Sequence, residues 1–144
     1  MSLLSGPDLV AVARSAAAQY SLDPAIVCAI VEQESSWDPF AIRYEPAFRT
    51  RYVAPLGLPP TEEVLRSISW GLMQVMGQVA REHGFTGKSL AALCDPKTGL
   101  EIGCAVLESK LIAAGNDCAR ALSLWNGGAN HNYAIQVFAR IKNY

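Results

Sequence analysis

The stretch Asp23-Pro24-Ala25-Ile26-Val27-Cys28-Ala29-Ile30-Val31-Glu32-Gln33-Glu34-Ser35 decides the reading of the whole chain. Asp23-Pro24 is a helix start, with a capping carboxylate followed by a proline whose fixed φ suits the first turn. The residues after it are apolar on nearly every side, as in a helix that runs through the middle of a core. Such a helix needs other helices around it, and punctuation along the chain supplies them. Ser5-Gly6-Pro7-Asp8 opens a helix expected to reach about Tyr20, and Thr61 to Ile68 reads as a short one. Leu72, Val75, Met76, Val79 and Ala80 form the inward stripe of the next, which Gly84 stops. Asp95-Pro96 starts a longer helix ending near Gly115, Asp117 caps another that ends at Trp125-Asn126-Gly127-Gly128, and Tyr133, Val137 and Ile141 line the last. No bounded run of strict apolar and polar alternation suggests a sheet. The expected fold is all-α, a single domain spanning 1–144 with about seven to nine helices.

Between these elements Trp37–Pro60 contains Pro39, Pro46, Pro55, Pro59 and Pro60 together with Arg43, Glu45, Arg49 and Arg51. That is too irregular for one helix, and it reads as a long functional loop or lid with a short helix near Ala47 to Tyr52.

The chain has 144 residues, 51% hydrophobic and 17% charged, enough to bury one core and too few for two. A formal net charge of −1 provides neither a basic face for nucleic acid nor an acidic tail. The longest apolar run, Ala25 to Val31, falls far below the roughly 20 residues that span a bilayer, and no Lys or Arg precedes Leu3-Leu4 as a signal peptide requires. The chain reads as soluble. Cys28, Cys94, Cys104 and Cys118 contain no C-x-x-C and only His83 and His131 could join them on a metal, so no metal site is expected. Cys28 reads as a small buried hydrophobe, and the other three could hold one disulfide whose pairing the spacing leaves open. Gly84-Phe85-Thr86-Gly87-Lys88-Ser89 is close to a phosphate loop, but Glu82 takes the place of its first glycine and no strand precedes it.

Chemistry points to Glu34. It follows Val27, Ile30 and Val31 by seven, four and three residues, so its carboxylate lies on the face those side chains share. Partial desolvation there favours the neutral acid and makes a proton donor near neutral pH. Read alone, Glu32 and Glu34 both lie near the helix end, and either could simply reach solvent.

Taken together, Gln33-Glu34-Ser35, Gly71-Leu72-Met73-Gln74, Trp125-Asn126-Gly127-Gly128 and Tyr133 ahead of Val137 resemble, in order and spacing, the motifs of the soluble lytic transglycosylase (SLT) catalytic domain family. That family shares the lysozyme-like fold with goose-type lysozymes. The resemblance covers roughly Asp23 to Tyr144. It implies an enzyme that cleaves the glycan strands of peptidoglycan at the MurNAc-β-1,4-GlcNAc bond and leaves a 1,6-anhydromuramoyl end. Glu34 would be the single catalytic acid and base, with no cofactor. Ser35, Met73, Gln74, Trp125, Asn126 and Tyr133 are implied as substrate contacts, Met73 offering an apolar surface to a sugar face and Gln74 a donor and an acceptor. The resemblance further implies a bacterial periplasmic or envelope setting, or a phage-associated one, a monomer, and partners in envelope, secretion or phage assembly.

Three departures stand out. Trp125 replaces the tyrosine usual before the asparagine, so an indole takes the place of a phenol. The serine expected soon after the acid helix is replaced in Ala41-Ile42-Arg43. The short link before Gly71 is expanded into residues 43–70, where Tyr44-Glu45-Pro46 resembles a subset with a long insertion, some from phage and secretion-associated enzymes. Glu45 could orient water or a sugar there, or pair with Arg43, Arg49 or Arg51. Two other readings remain beside the main one: a hydrolytic muramidase using Glu34 and a second carboxylate such as Glu45, and an inactive glycan-binding module that keeps the cleft.

Overall fold

The structure, a computed structural model, describes residues 5–144. Helix α1 (Gly6–Gln19) begins at Ser5, whose side chain and that of Asp8 form a reciprocal capping box. Helix α2 (Pro24–Ser35) starts where Asp23 accepts the amide of Ala25 at 2.9 Å. Its residues Val27, Cys28, Ala29, Ile30 and Val31 are all completely buried. Each of the larger ones contributes about 1.5–3 kcal/mol by leaving water. Around α2 pack α1, the C-terminal helix α8 (Tyr133–Arg140) and the short 3₁₀ turn Ile141–Asn143 that follows it.

After α2 the chain makes β1 (Ile42–Tyr44), α3 (Pro46–Phe48), a π turn over Arg49–Val53, a 3₁₀ turn over Ala54–Leu56, α4 (Pro60–Arg66) and β2 (Ile68–Trp70). The short helix expected near Ala47 to Tyr52 is therefore present as α3 and the π turn. β2 continues through the Gly71–Gln74 turn into β3 (Val75–Met76), and the three strands form an antiparallel sheet in the order β1-β2-β3. This sheet corrects the expectation that no strand exists. Its strands are two or three residues long, too short for alternation to be visible. The helix expected from Leu72 onward begins only at Gly77, because Gln74 takes a φ of +51° and turns the chain back on itself. Helix α5 (Gly77–Glu82) then leads through a 3₁₀ turn to α6 (Pro96–Ala113), α7 (Cys118–Asn126) and α8 (Tyr133–Arg140). Asp95 and Asp117 cap α6 and α7 as their sequence positions suggest.

The all-α expectation stands, with the small sheet as an addition on one side. All four cysteines are free thiols, Cys28 and Cys104 buried in the core, so the disulfide allowed among Cys94, Cys104 and Cys118 does not form. Burial pushes the Cys104 thiol up to about 12.

Gly71 is the joint between sheet and core. Its φ is +72°, and a Cβ there would lie 2.5 Å from the carbonyl oxygen of Leu93. Its own amide donates to Ala41 O at 2.8 Å, which fastens the start of β1 to the turn. Gly71→Ala combines left-handed strain with a backbone collision that no rotamer relieves. It should lower unfolding free energy by about 2–4 kcal/mol in a urea titration. An unchanged midpoint would remove Gly71 as the joint.

Candidate active site

Glu34 occupies the last turn of α2, where the apolar run ends and the chain emerges from the core. Two features of that position favour its neutral form. The surrounding core excludes water, and the exposed carbonyls of a helix C-terminus repel a negative charge. The Glu34 carboxyl is accordingly raised above the ordinary glutamate range, burial being the largest cause. Opposing this, the Tyr133 hydroxyl donates to Glu34 Oε1 at 2.6 Å. The Trp125 indole and the positive charge of Arg43 favour the carboxylate more weakly, and of these contacts only the Tyr133 bond has full hydrogen-bond geometry. Tyr133 is itself buried, 4% exposed. Burial, then the Glu34 charge beside it, push its phenol far above the ordinary tyrosine range, so it keeps the proton that it donates to Glu34.

The end of α2 is held from several directions. Ser35 Oγ donates to Leu72 O at 2.8 Å and lies 3.1 Å from Val31 O, linking the acid helix to the Gly71–Gln74 turn. Gln74 staples the same turn: its Nε2 donates to Ala41 O at 2.8 Å and Gly71 O at 3.0 Å, while its Oε1 accepts from Ser69 at 2.9 Å. On the opposite side Arg140 of α8 binds Glu32 at 2.5 Å and Gln33 at 2.8 Å. Tyr144 donates to Glu32 at 3.0 Å and accepts the Trp37 indole N–H at 2.7 Å. Ser36 and Trp37 both have positive φ, 50° and 66°, a strained pair that this bonding and the tilted Trp37–Tyr144 ring contact hold in place. Glu32 is thereby kept charged, its carboxyl lowered first by the Arg140 hydrogen bond. Two glutamates two residues apart thus have opposite electrostatic fates.

The structure sorts the sequence candidates into distinct places. Glu34, Tyr133 and Trp125 come together. Met73 does not join them as an exposed contact: it is 1% exposed and packs against Gly103 of α6, where a Cβ would collide with Met73 Sδ. Its place in the core corrects the expectation of a surface offered to a sugar. Ser35 and Gln74 lie at the site, but their donors are committed to backbone carbonyls, which makes them frame. Asn126 donates to Asn130 O at 3.3 Å and helps close the Gly127-Gly128 turn ahead of Tyr133, both glycines having positive φ. Glu45 sits half-buried in an ion pair with Arg43, Nε to Oε1 3.0 Å.

Sequence reading missed Trp37, Tyr144 and Arg140 as supports for the acid helix, since nothing local marks a contact across more than 100 residues. Among the described residues no group of three or more His, Cys, Asp or Glu could hold a metal, and no helix is long and apolar enough to cross a membrane. A surface depression lined by Arg66, Arg81, Phe85 and Lys88 among others contains none of the candidate site residues. Arg81 there holds the carbonyls of Phe85 and Gly87, at 2.9 Å and 2.7 Å, so the glycine-and-lysine segment is wrapped on its own arginine.

A family model described as the transglycosylase SLT domain matches residues 11–139. The match takes in most of α1, which the motif comparison had left out. No curated protein and no solved structure matches the chain.

Tyr133→Phe tests the central contact without removing the ring. A hydrogen bond to a charged group is worth about 1.5–3 kcal/mol and one to a neutral acceptor about 1 kcal/mol. The variant should therefore lose more stability at pH 8 than at pH 4, because the bond favours the ionised carboxylate. Equal losses at both pH values, measured by urea unfolding, would show that the phenol does not act on the Glu34 charge.

Proposed function

The chain belongs to the transglycosylase SLT domain family, and on that premise we propose that it cleaves the MurNAc-β-1,4-GlcNAc bond of peptidoglycan with Glu34 as the single acid and base. The observation that carries the reading is the setting of Glu34: its acid form is favoured by burial, while one short bond from Tyr133 waits for the carboxylate. A group serving first as acid and then as base needs both forms within reach.

In the proposed first step Glu34 delivers its proton to the oxygen leaving C1 of N-acetylmuramic acid. The C1–O bond breaks and the carbonyl oxygen of the sugar's own 2-acetamido group bonds to C1, so no protein nucleophile is required. The carboxylate left behind is stabilised by Tyr133. In the second step it removes the proton of the C6 hydroxyl, O6 bonds to C1, and the acetamido oxygen is released. Glu34 ends protonated, and the product carries a 1,6-anhydro ring. Trp125 and Asn126 are the proposed sugar contacts in this cleft. A bacterial envelope or phage-associated setting suits that substrate.

The hydrolytic alternative asks a second carboxylate to activate water. Glu45 is the sequence candidate, and in the structure its Oε1 is engaged by Arg43 Nε at 3.0 Å. Mass spectrometry of the muropeptides separates the readings. Anhydro ends, lighter than reducing ends by one water, are expected. Reducing ends would establish hydrolysis, and no products would establish a binding module.

Glu34→Gln keeps shape and an acceptor for Tyr133 but never ionises. Because the folded carboxyl is raised, stability is undiminished below the unfolded pKa of about 4.3 and falls as pH rises through the folded value. The variant should abolish cleavage and melt at or above the wild-type temperature at pH 7, the gain vanishing toward pH 4. A variant that melts lower and still cuts peptidoglycan would assign Glu34 to structure and send the search for the acid to Glu32 or Glu45.

A further inference from the structure

We propose that Asn130, on the loop between α7 and α8, is a positioning residue for the acid: through a closed ring of side-chain amides it holds the Tyr133 phenol against Glu34. The inference rests on the reading of Glu34 as the acid and adds a loop residue that acts on it only through Tyr133.

Burial does little to hold this loop. Residues 127–129 are exposed, and Gly127 and Gly128 both take positive φ, so the backbone has the freedom of two glycines in succession. Order comes from Asn130. Its carbonyl oxygen accepts the Asn126 side chain at 3.3 Å and the Tyr133 amide at 3.1 Å, joining the end of α7 to the start of α8. Its side-chain oxygen accepts the Asn132 amide at 3.0 Å, and its Nδ2 donates to Gln136 Oε1 at 2.9 Å. The same Gln136 oxygen accepts Gln33 Nε2 at 3.1 Å, and Gln33 immediately precedes Glu34 on α2. Tyr133 closes the circuit by donating to Glu34 at 2.6 Å. The path runs from Glu34 through Gln33, Gln136, Asn130 and Tyr133 back to Glu34.

Chemistry fixes the direction of every amide in this ring. Arg140, which can only donate, holds Gln33 Oε1 at 2.8 Å and so turns Gln33 Nε2 toward Gln136. The Asn132 N–H does the same for Asn130, turning its Nδ2 toward Gln136. Two donors therefore converge on Gln136 Oε1, whose two lone pairs take both. Reversing any one amide sets donor against donor or acceptor against acceptor, so the ring has one permitted arrangement. Gln136 is exposed and Asn130 half-buried, and bonds so open to water add little to stability. Their effect falls on where the phenol is placed.

The test compares two variants that add the same charge on either side of one contact. Asn130→Asp keeps the acceptor for Asn132 but sets a carboxylate oxygen against Gln136 Oε1, and Gln136 cannot reverse to meet it without facing the Gln33 donor. Gln136→Glu still accepts from both donors and keeps the ring. On soluble peptidoglycan glycan strands Asn130→Asp should lower kcat about tenfold, as a small misplacement of a catalytic contact does, whereas Gln136→Glu should stay within about twofold of wild type. Beside Tyr133→Phe, Asn130→Asp should cost less than about twofold, because it acts through the phenol. Carbon-13 titration of the Glu34 carboxyl in the full chain reads the same contact without substrate. The Tyr133 bond favours the carboxylate, Trp125 and Arg43 bear on it more weakly, and the flanking Glu32 and Arg140 are bound to each other. Loosening the bond should therefore raise the Glu34 midpoint in Asn130→Asp by more than in Gln136→Glu. If Asn130→Asp does not fold, Gln136→Leu opens the same ring without a charge and should move kcat and midpoint in the same directions. Equal losses in Asn130→Asp and Gln136→Glu, or a loss that persists in full beside Tyr133→Phe, would overturn the proposal. An unmoved kcat and midpoint in Asn130→Asp would overturn it while leaving Glu34 as the acid. Wild-type protein that leaves the glycan strands uncut would instead sink the reading on which it rests.

Discussion

Helix α2 is apolar on every side until its last turn, and the rest of the molecule follows from that constraint. A helix with no polar face along its middle must be enclosed there, so α1, α8 and the terminal 3₁₀ turn surround it and seal Val27–Val31, while both ends reach the surface, the C-terminal one at Glu34. That end is where a carboxylate is least welcome, next to unpaired carbonyls and a dry core. The chain nevertheless places two glutamates there. One is resolved structurally, by giving Glu32 to Arg140, Tyr144 and Asn143. The other keeps one full hydrogen bond, from the neutral Tyr133, with Trp125 and Arg43 acting more weakly, and it is the carboxyl that the proposed reaction uses.

Rigidity at this end is distributed over many modest contacts. The Arg140–Glu32 pair is partly exposed, and pairs of that kind are worth at most about 1 kcal/mol when isolated. Its value lies in the network, since Arg140 also holds Gln33, and Gln33 reaches Gln136 at 3.1 Å on the same helix. Gln136 in turn accepts from Asn130 at 2.9 Å, which orders the loop that ends in Tyr133. The donor to Glu34 and the salt bridge behind Glu32 therefore belong to one hydrogen-bonded structure. A displacement of α8 would change the acid's only full hydrogen bond.

The legible parts of the sequence were those in which local chemistry and tertiary demand agree. Asp23, Asp95 and Asp117 cap helices because a short carboxylate before the first turn satisfies free amides wherever the helix goes. Val27, Ile30 and Val31 announce the core, and Glu34 at the matching spacing announces a carboxyl shielded from water at the end of that helix. Met73 and Gln74 were read as contacts to a sugar, whereas Met73 is buried and Gln74 adopts positive φ and spends its amide on Ala41 and Gly71. Nothing in the letters Gly-Leu-Met-Gln distinguishes a side chain that faces a ligand from one that closes a turn. β1 was invisible for a similar reason, because its pairing partners lie more than 20 residues away, and β2 and β3 are too short for alternation to show.

The competition around Glu34 explains why a single carboxylate suffices for the proposed reaction. If burial acted alone, the acid would be reluctant to release its proton, and the carboxylate formed in mid-reaction would be poorly supported. If donors acted alone, the group would be ionised before substrate arrived and could not protonate a leaving oxygen. Burial is the larger influence at rest and favours the protonated form that the first step needs. Tyr133 then strengthens its bond as charge develops, because a bond to an ion is stronger than one to a neutral acceptor. The phenol's own raised pKa matters here: the proton in the bond stays on oxygen of Tyr133, so the carboxylate remains free to take the one from the sugar hydroxyl.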